Sequence, residues 1–398
     1  MVRLPATVVA AGLSVRLIDE WWSWLPAGVV EDLKRDFGIS YAGSGWLLAL
    51  LFVGGLVGTP LSVLADHLDR GLVALAGALA ISGGLATYAI GAPFAALAAA
   101  SLVLGAASDL LVAPLEAALA ASAGDRLDRL IGRQHTLTFL GDFLGPGVLA
   151  LGAVTALGWR GAFALTAAAI ALFGGVVATI PFPPPEAPAE SLREAFGETV
   201  AVARNGAVWR LVVVEMLLGP LDEPLLAFVV ARAAAESPAG AQTGAALAQL
   251  LAGAGTIGGL AASALVERRG VRPALRRIGP WLMVAGTGAA TLDATLAVGS
   301  LAMLAVGAGM GIVWADLHVR LLTVVPGRTA TVSTLVGAVG TVGALVPALT
   351  GVLADRAGLD AALGAYTVLC LMLVVAVRAL PPPEPAPGTG ATAGSASG

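Results

Sequence analysis

The sequence predicts an all-α membrane protein, with twelve transmembrane helices in two pseudo-symmetric six-helix bundles. Three observations predict it. First, 58% of the 398 residues are hydrophobic and 12% are charged, against about 25% charged in an ordinary soluble domain. With a mean hydropathy of +0.89, a compact soluble chain of this size could not cover its own surface. That excludes a soluble enzyme, a nucleic-acid binder and a disordered scaffold. Second, the apolar residues fall into runs that meet the about 20 residues a helix needs to cross a bilayer. Third, charged positions recur between the two halves of the chain.

The first run, 4–30, opens like a secretion signal, with Arg3 ahead of an apolar stretch. Arg16, Asp19 and Glu20 then follow with no small-residue cleavage site, so it reads as a crossing that carries charge. Runs at 42–65, 71–91, 94–122, 135–157 and 161–180 complete the first half. Pro181 to Pro188 then interrupts any helix. Ser191 to Gly206 reads as a short amphipathic helix, with Leu192, Phe196 and Val200 on one face. The second half holds runs at 208–232, 241–266, 274–294, 296–325, 329–353 and 360–380. The fourth and tenth runs exceed the bilayer thickness, which implies tilt or protrusion. Pro381 to Gly398 has nothing to bury and reads as a disordered tail. The expected division is therefore 1–180, a linker at 181–207, then 208–380, and the tail at 381–398.

Orientation follows from the basic residues, 21 Arg and one Lys. With the N-terminus in the cytoplasm, 15 fall on the cytoplasmic side and 5 outside, leaving Arg16 and Arg320 at membrane depth. The excess of positive charge inside predicts both termini in the cytoplasm of a multi-pass protein of the plasma or inner membrane. The single cysteine, Cys370, lies in an apolar run and reads as inert packing.

The charges at membrane depth carry the functional reading. Leu17-Ile18-Asp19-Glu20 in the first span matches Pro220-Leu221-Asp222-Glu223 in the seventh. Asp109 follows Gly105 in the fourth, as Asp316 follows Gly311 in the tenth. This is the pattern of a parallel repeat about an axis along the membrane normal. A charge at depth costs several kcal/mol and must face a wet cavity or a partner. Arg16 lies three and four residues from Asp19 and Glu20, and Asp316 lies four from Arg320, so each set can pair within its helix. Asp109 with Glu116, and Glu215 with Asp222, are seven apart on one face and have no basic residue at depth on their own span. Those faces must look into water, a proton or a cation. A carboxyl in a cavity open alternately to either side could carry protons, and a cationic substrate would compete for it. Asp109, Asp222 and Glu223 are the first candidates. Asp19 and Asp316 are next, because Arg16 and Arg320 can occupy them. Glu116, Glu215 and Asp142 read equally well as acids at water-exposed helix ends.

Trp21, Trp22 and Trp24 cluster near one end of the first span. They form either an interfacial aromatic belt or a cavity wall offering cation–π contact. Trp314, beside Asp316, is a second candidate wall. His135 and His318 read as proton relays or as interfacial hydrogen-bonding groups. Glycines at spacing four, Gly54/Gly58, Gly141/Gly145 and Gly255/Gly259, together with Gly337, Gly340 and Gly343, mark close helix packing. No zinc-ligand spacing, phosphate loop or nucleophile–base set occurs. The chain is therefore not expected to be an enzyme or to hold a metal or cofactor. A proton gradient would supply its energy.

These features resemble the major facilitator superfamily across nearly the whole chain. Ser62 to Gly71 (SVLADHLDRG) is similar to the family's loop motif G-x-x-x-D-R-x-G-R, with Asp66 and Arg70 matching. Ser263 to Gly270 (SALVERRG) keeps Glu267, Arg268 and Gly270. Gly351 to Gly358 (GVLADRAG) matches G-x-x-x-D-R-x-G in full, but at the end of span eleven. The resemblance implies a gating latch at Asp66, Arg70, Glu267 and Arg268. It also implies a central cavity lined by spans one, four, seven and ten, which would gather Asp19, Glu20, Asp109, Asp222, Glu223 and Asp316 around one site. Gly141-x-x-x-Gly145-Pro146 resembles part of the drug/proton antiporter signature, with Leu149 where a Gly is usual. Trp24-Leu25-Pro26 and Gly38-Ile39-Ser40-Tyr41-Ala42 are similar to fosmidomycin-resistance-type exporters. The implied function is proton-coupled export of an amphiphilic, cationic small molecule by a monomer in the bilayer. The alternative is a proton-linked importer or facilitator of a small polar metabolite, with Arg16 and Arg320 free to bind an anionic group.

Overall fold

The computed structural model describes residues 6–62, 68–123, 127–182, 200–237, 241–269, 272–292, 295–325 and 329–380. Asp66, most of the amphipathic linker and the tail lie outside them, as do the side chains of His135 and Glu267. The first half holds α1 (Ala6–Gly28), α2 (Val30–Phe37), α3 (Tyr41–Ser62), α4 (Arg70–Ala89), α5 (Phe94–Ala123), α6 (Leu127–Val154) and α7 (Gly158–Ala178). The second holds α8 (Gly206–Leu218), α9 (Glu223–Ala235), α10 (Ala241–Arg269), α11 (Pro273–Leu292), α12 (Leu296–Thr323), α13 (Thr329–Gly340), α14 (Leu345–Ala357) and α15 (Leu359–Arg378).

Nine spans among the described residues are long and apolar enough to cross a membrane. The other three expected crossings each carry a visible cost. α1 holds Arg16, Asp19 and Glu20, and α11 begins with Arg276 and Arg277 in its first turns. The seventh crossing is not one helix. It breaks into α8, a 3-10 turn at Gly219–Leu221 and α9, because Pro220 and Pro224 remove two backbone donors. Span eleven breaks likewise at Thr341–Ala344, between α13 and α14.

α2 is an element the hydropathy pattern does not reveal. Its charges follow the helix dipole, with Glu31 and Asp32 in the first turn and Lys34 and Arg35 in the last. Val30 and Leu33 are buried, and Gly38 closes the helix at φ 64°, a left-handed conformation that glycine adopts without strain. α6 also starts earlier than its apolar run, at Leu127.

Packing repeats between halves. Within the first half α3 packs on α5, α4 on α5 and α7, and α1 on α6. The equivalent pairs in the second are α10 on α12, α11 on α12 and α15, and α8 on α13. Gly105 of α5 lies against the Leu51 carbonyl of α3, and Gly307 of α12 against the Gly255 carbonyl of α10. A Cβ at either position would collide with backbone, so these matched contacts require glycine. The halves meet along α3–α14 and α6–α10.

Candidate functional site

The site begins with a close approach. Gly141 of α6 packs against the backbone of Leu17, and Gly145 packs against Trp21 and Trp24. With no side chains between them, α1 and α6 come together. Asp142 thereby reaches hydrogen-bonding distance of Glu20. From the other half, the break at Gly219–Leu221 turns Asp222 and Glu223 toward the same region, with Glu223 opening α9. Glu223 lies beside Ser23 of α1, whose hydroxyl donates to the Glu20 carbonyl at 3.1 Å, and close enough to Asp19 for their charges to interact. Asp222 in turn interacts with Glu223, Asp142 and Glu215. Five carboxyls from α1, α6 and the seventh span therefore converge across the interface between halves.

Asp19 is the best satisfied of them. It is 8% exposed and accepts from Ser108 at 2.6 Å and from the Trp22 indole at 3.2 Å. Arg16 reaches it at 3.7 Å, but pairs more closely with Glu116 of α5, at 2.7 Å. Gln134 adds a second hold on Glu116, at 3.1 Å. The expectation that Glu116 lacks a basic partner is thus corrected, since its partner comes from another helix. The remaining acids, Glu20, Asp142, Asp222 and Glu223, have no arginine or lysine partner within 4.0 Å among the described residues. The buried indole N–H of Trp21 also has no hydrogen-bond partner there.

Two expected members lie elsewhere. Asp316 is 4% exposed and clamped by two guanidiniums, Arg276 at 2.9 Å and Arg320 at 2.8 Å. Arg276, counted from the sequence on the cytoplasmic side, lies in the first turns of α11. Trp314 packs its ring 5.7 Å from that of His318 on the same helix. Asp109 is half-buried, about 100° round α5 from the Ser108 that faces Asp19. Of the expected latch, Arg70 is buried at the start of α4, with Nε and Nη1 unpartnered among the described residues. Arg268 is exposed at the end of α10.

One end of the bundle, opposite to that where α1 begins, is tied shut between halves. The Trp24 indole donates to Gln249 of α10 at 3.0 Å, and Gln249 donates to the Gly28 carbonyl at 2.8 Å. Asp355 of α14 accepts from the first two N–H groups of α3, Tyr41 at 2.9 Å and Ala42 at 2.8 Å. A cavity of about 310 Å³ lies beyond the Gln249 tie, bounded by Gly28, Asp32, Arg35, Trp159 and Gln249. It is not lined by the carboxyl cluster. The cluster is the better marker of chemistry, because buried charge is costly unless used. Sequence spacing alone missed Ser23, Ser108 and Gln249, and left Asp142 as equally an acid at a water-exposed helix end. The signal for Asp142 was its place beside Gly141 of a close-packing pair.

Residues 17–346 match the family model described as Major Facilitator Superfamily. No curated protein matches the chain by sequence. Among solved structures, a substituted form of the nucleoside transporter NupG superposes with a TM-score of 0.77 at 15% identity, covering 94% of this chain and 100% of that one. A bacterial homologue of the human lysosomal transporter Spinster, inward-facing and occupied, gives 0.73 at 16% identity, covering 94% and 96%. The xylose transporter XylE from E. coli, inward-open, gives 0.71 at 17% identity, covering 96% and 97%.

Proposed function

The chain belongs to the major facilitator superfamily and is a membrane transporter, and on that footing we propose that it exports an amphiphilic, cationic small molecule in exchange for protons, by alternating access. The observation that carries this reading is the sign of the central charge. Glu20, Asp142, Asp222 and Glu223 face one another across the halves with no arginine or lysine within 4.0 Å among the described residues, and Arg16 acts on Glu20 only from beyond that distance. Carboxyls this close need a proton or a cation between them. A substrate ammonium and a proton are therefore alternatives for one place, which is the condition for exchange. Trp21 supplies an aromatic face and an unspent N–H donor beside them. The sealed end is taken as the outer one, from the distribution of arginines.

The importer reading needed Arg16 or Arg320 free for an anionic group. Arg16 is bound to Glu116 and Arg320 to Asp316, so that reading lacks its binding group. The test uses purified protein and tetraphenylphosphonium, a lipophilic cation. Binding should release protons into weakly buffered solution. Glu20→Gln and Asp222→Asn should each reduce that release severalfold. Binding with unchanged proton release in both variants, or no binding of any member of an organic-cation panel, would overturn the proposal.

A further inference from the structure

Spans seven and eleven break at the same place in the bundle, and a second pocket lies between the breaks. Its volume is about 90 Å³, and Phe52, Glu215, Gly219, Gly337, Gly340 and Thr341 line it. The helix breaks create the space. A Cβ added to Gly219 or Gly337 would meet nothing, so both face a void. Gly340 instead packs directly on the Glu215 side chain and fixes where it points. The Glu215 carboxyl makes no hydrogen bond or ion pair among the described residues. No lysine, arginine or histidine lines the pocket. The Thr341 hydroxyl donates to the Gly337 carbonyl at 3.0 Å, which leaves its lone pairs turned outward as acceptors.

A carboxylate at membrane depth needs a wet cavity or a counter-charge, and no side chain among the described residues supplies the charge here. Each water needs about 10–15 Å³ of such volume, so the pocket has room for a small ion with a partial water shell and is too small for an organic substrate. We propose that this pocket is a binding site for a monovalent cation, a proton or a sodium ion, held by Glu215 and Thr341 and separate from the central carboxyl cluster. Asp222 is the charged group that faces Glu215 from the central side, two turns on along the same span. A cation on Glu215 therefore changes the field at Asp222, and through it the cluster. The breaks also make the pocket a hinge, so occupancy would favour one arrangement of α8 against α13. The inference rests on the transporter reading but not on the nature of the transported molecule.

The test is carbodiimide labelling of the purified full-length protein, read by mass spectrometry at Glu215. The reagent modifies protonated carboxyls in apolar surroundings. Labelling should fall severalfold as pH rises if the proton is the ligand. It should fall on replacing choline chloride by sodium chloride at fixed pH if sodium is. Thr341→Val should weaken the sodium effect and leave the pH effect. Glu20→Gln should leave Glu215 labelling and both dependences intact, so loss of the organic-cation response in that variant speaks only to the central cluster. Labelling of wild-type Glu215 that responds to neither pH nor sodium would overturn the proposal.

Discussion

Asp316 and Glu20 are both acids in the bilayer span, yet their surroundings give them opposite expected roles. Asp316 sits between Arg276 and Arg320. Removing its charge strands two guanidiniums, one of them in α11 and one in α12. Breaking a buried ion pair from one side costs about 3–5 kcal/mol. Asp316→Asn should therefore lower the melting temperature markedly while leaving the proton release of surviving protein unchanged. Glu20→Gln should do the reverse, with little loss of stability and a lost proton signal. Equal melting temperatures for Asp316→Asn and wild type would remove the structural assignment. Outside the crossings, Asp36 offers a pH test. Burial pushes its carboxyl up, but the Trp159 indole at 2.9 Å, Arg35 at 2.9 Å and Arg160 at 3.9 Å outweigh that. Its native value lies below the ordinary carboxylate range. The stability it contributes is thus complete above that range and is lost as pH falls through the lowered native value. Asp36→Asn should flatten the acid limb of the melting curve measured against pH, and an unchanged limb would assign it to other groups.

Elements were legible in the sequence where their signal is local. Twelve apolar runs became helices or helix pairs, with ends shifted by a few residues. α2 was not legible, because a charged helix facing two buried residues has the hydropathy of a loop. The central partners were not legible either, because sequence spacing reveals pairs three or four apart on one helix. Arg16–Glu116 and Glu20–Asp142 join different helices. The glycine spacing in α6 was visible, and its role follows from the packing. A side chain at Gly141 would press on the Leu17 backbone and the Glu20 Cβ. Gly141→Leu should cost about 1–3 kcal/mol by overpacking and separate Asp142 from Glu20. The GVLADRAG stretch was also visible, and α14 uses it at the sealed end. Asp355 accepts both first N–H groups of α3, as a cap supplied from the opposite half. Losing a cap costs about 1 kcal/mol, which shifts a two-state equilibrium about fivefold. Asp355→Ala should lengthen spin-label distances between α3 and α14, and an unchanged distribution would make the cap incidental.

At the scale of the molecule, the contacts sort into two kinds. Those repeated between halves, such as Gly105 on Leu51 and Gly307 on Gly255, join helices within a half backbone to backbone. They leave no room for sliding. Those between halves at the sealed end are polar ties, at Gln249 and Asp355, beside close glycine contacts of Gly45 with the Pro347 carbonyl and Gly351 with the Tyr41 carbonyl. If the chain works by alternating access, the first kind must persist through the cycle and the second must break. A disulfide can separate the two. Ala42→Cys with Asp355→Cys replaces the α3–α14 tie by a covalent bond across the halves. Ser82→Cys with Ala167→Cys does the same inside the first half, where the Ser82 hydroxyl already bonds the Ala167 carbonyl at 2.8 Å. The native Cys370 is buried, so it does not compete for oxidation. In proteoliposomes, oxidation should block proton-driven tetraphenylphosphonium movement in the first variant, with recovery on reduction, and leave the second active. Transport that survives the cross-half bond would mean that the α3–α14 tie need not part during the cycle. The sealed end would then not be the outer gate, and alternating access through it could not be the mechanism.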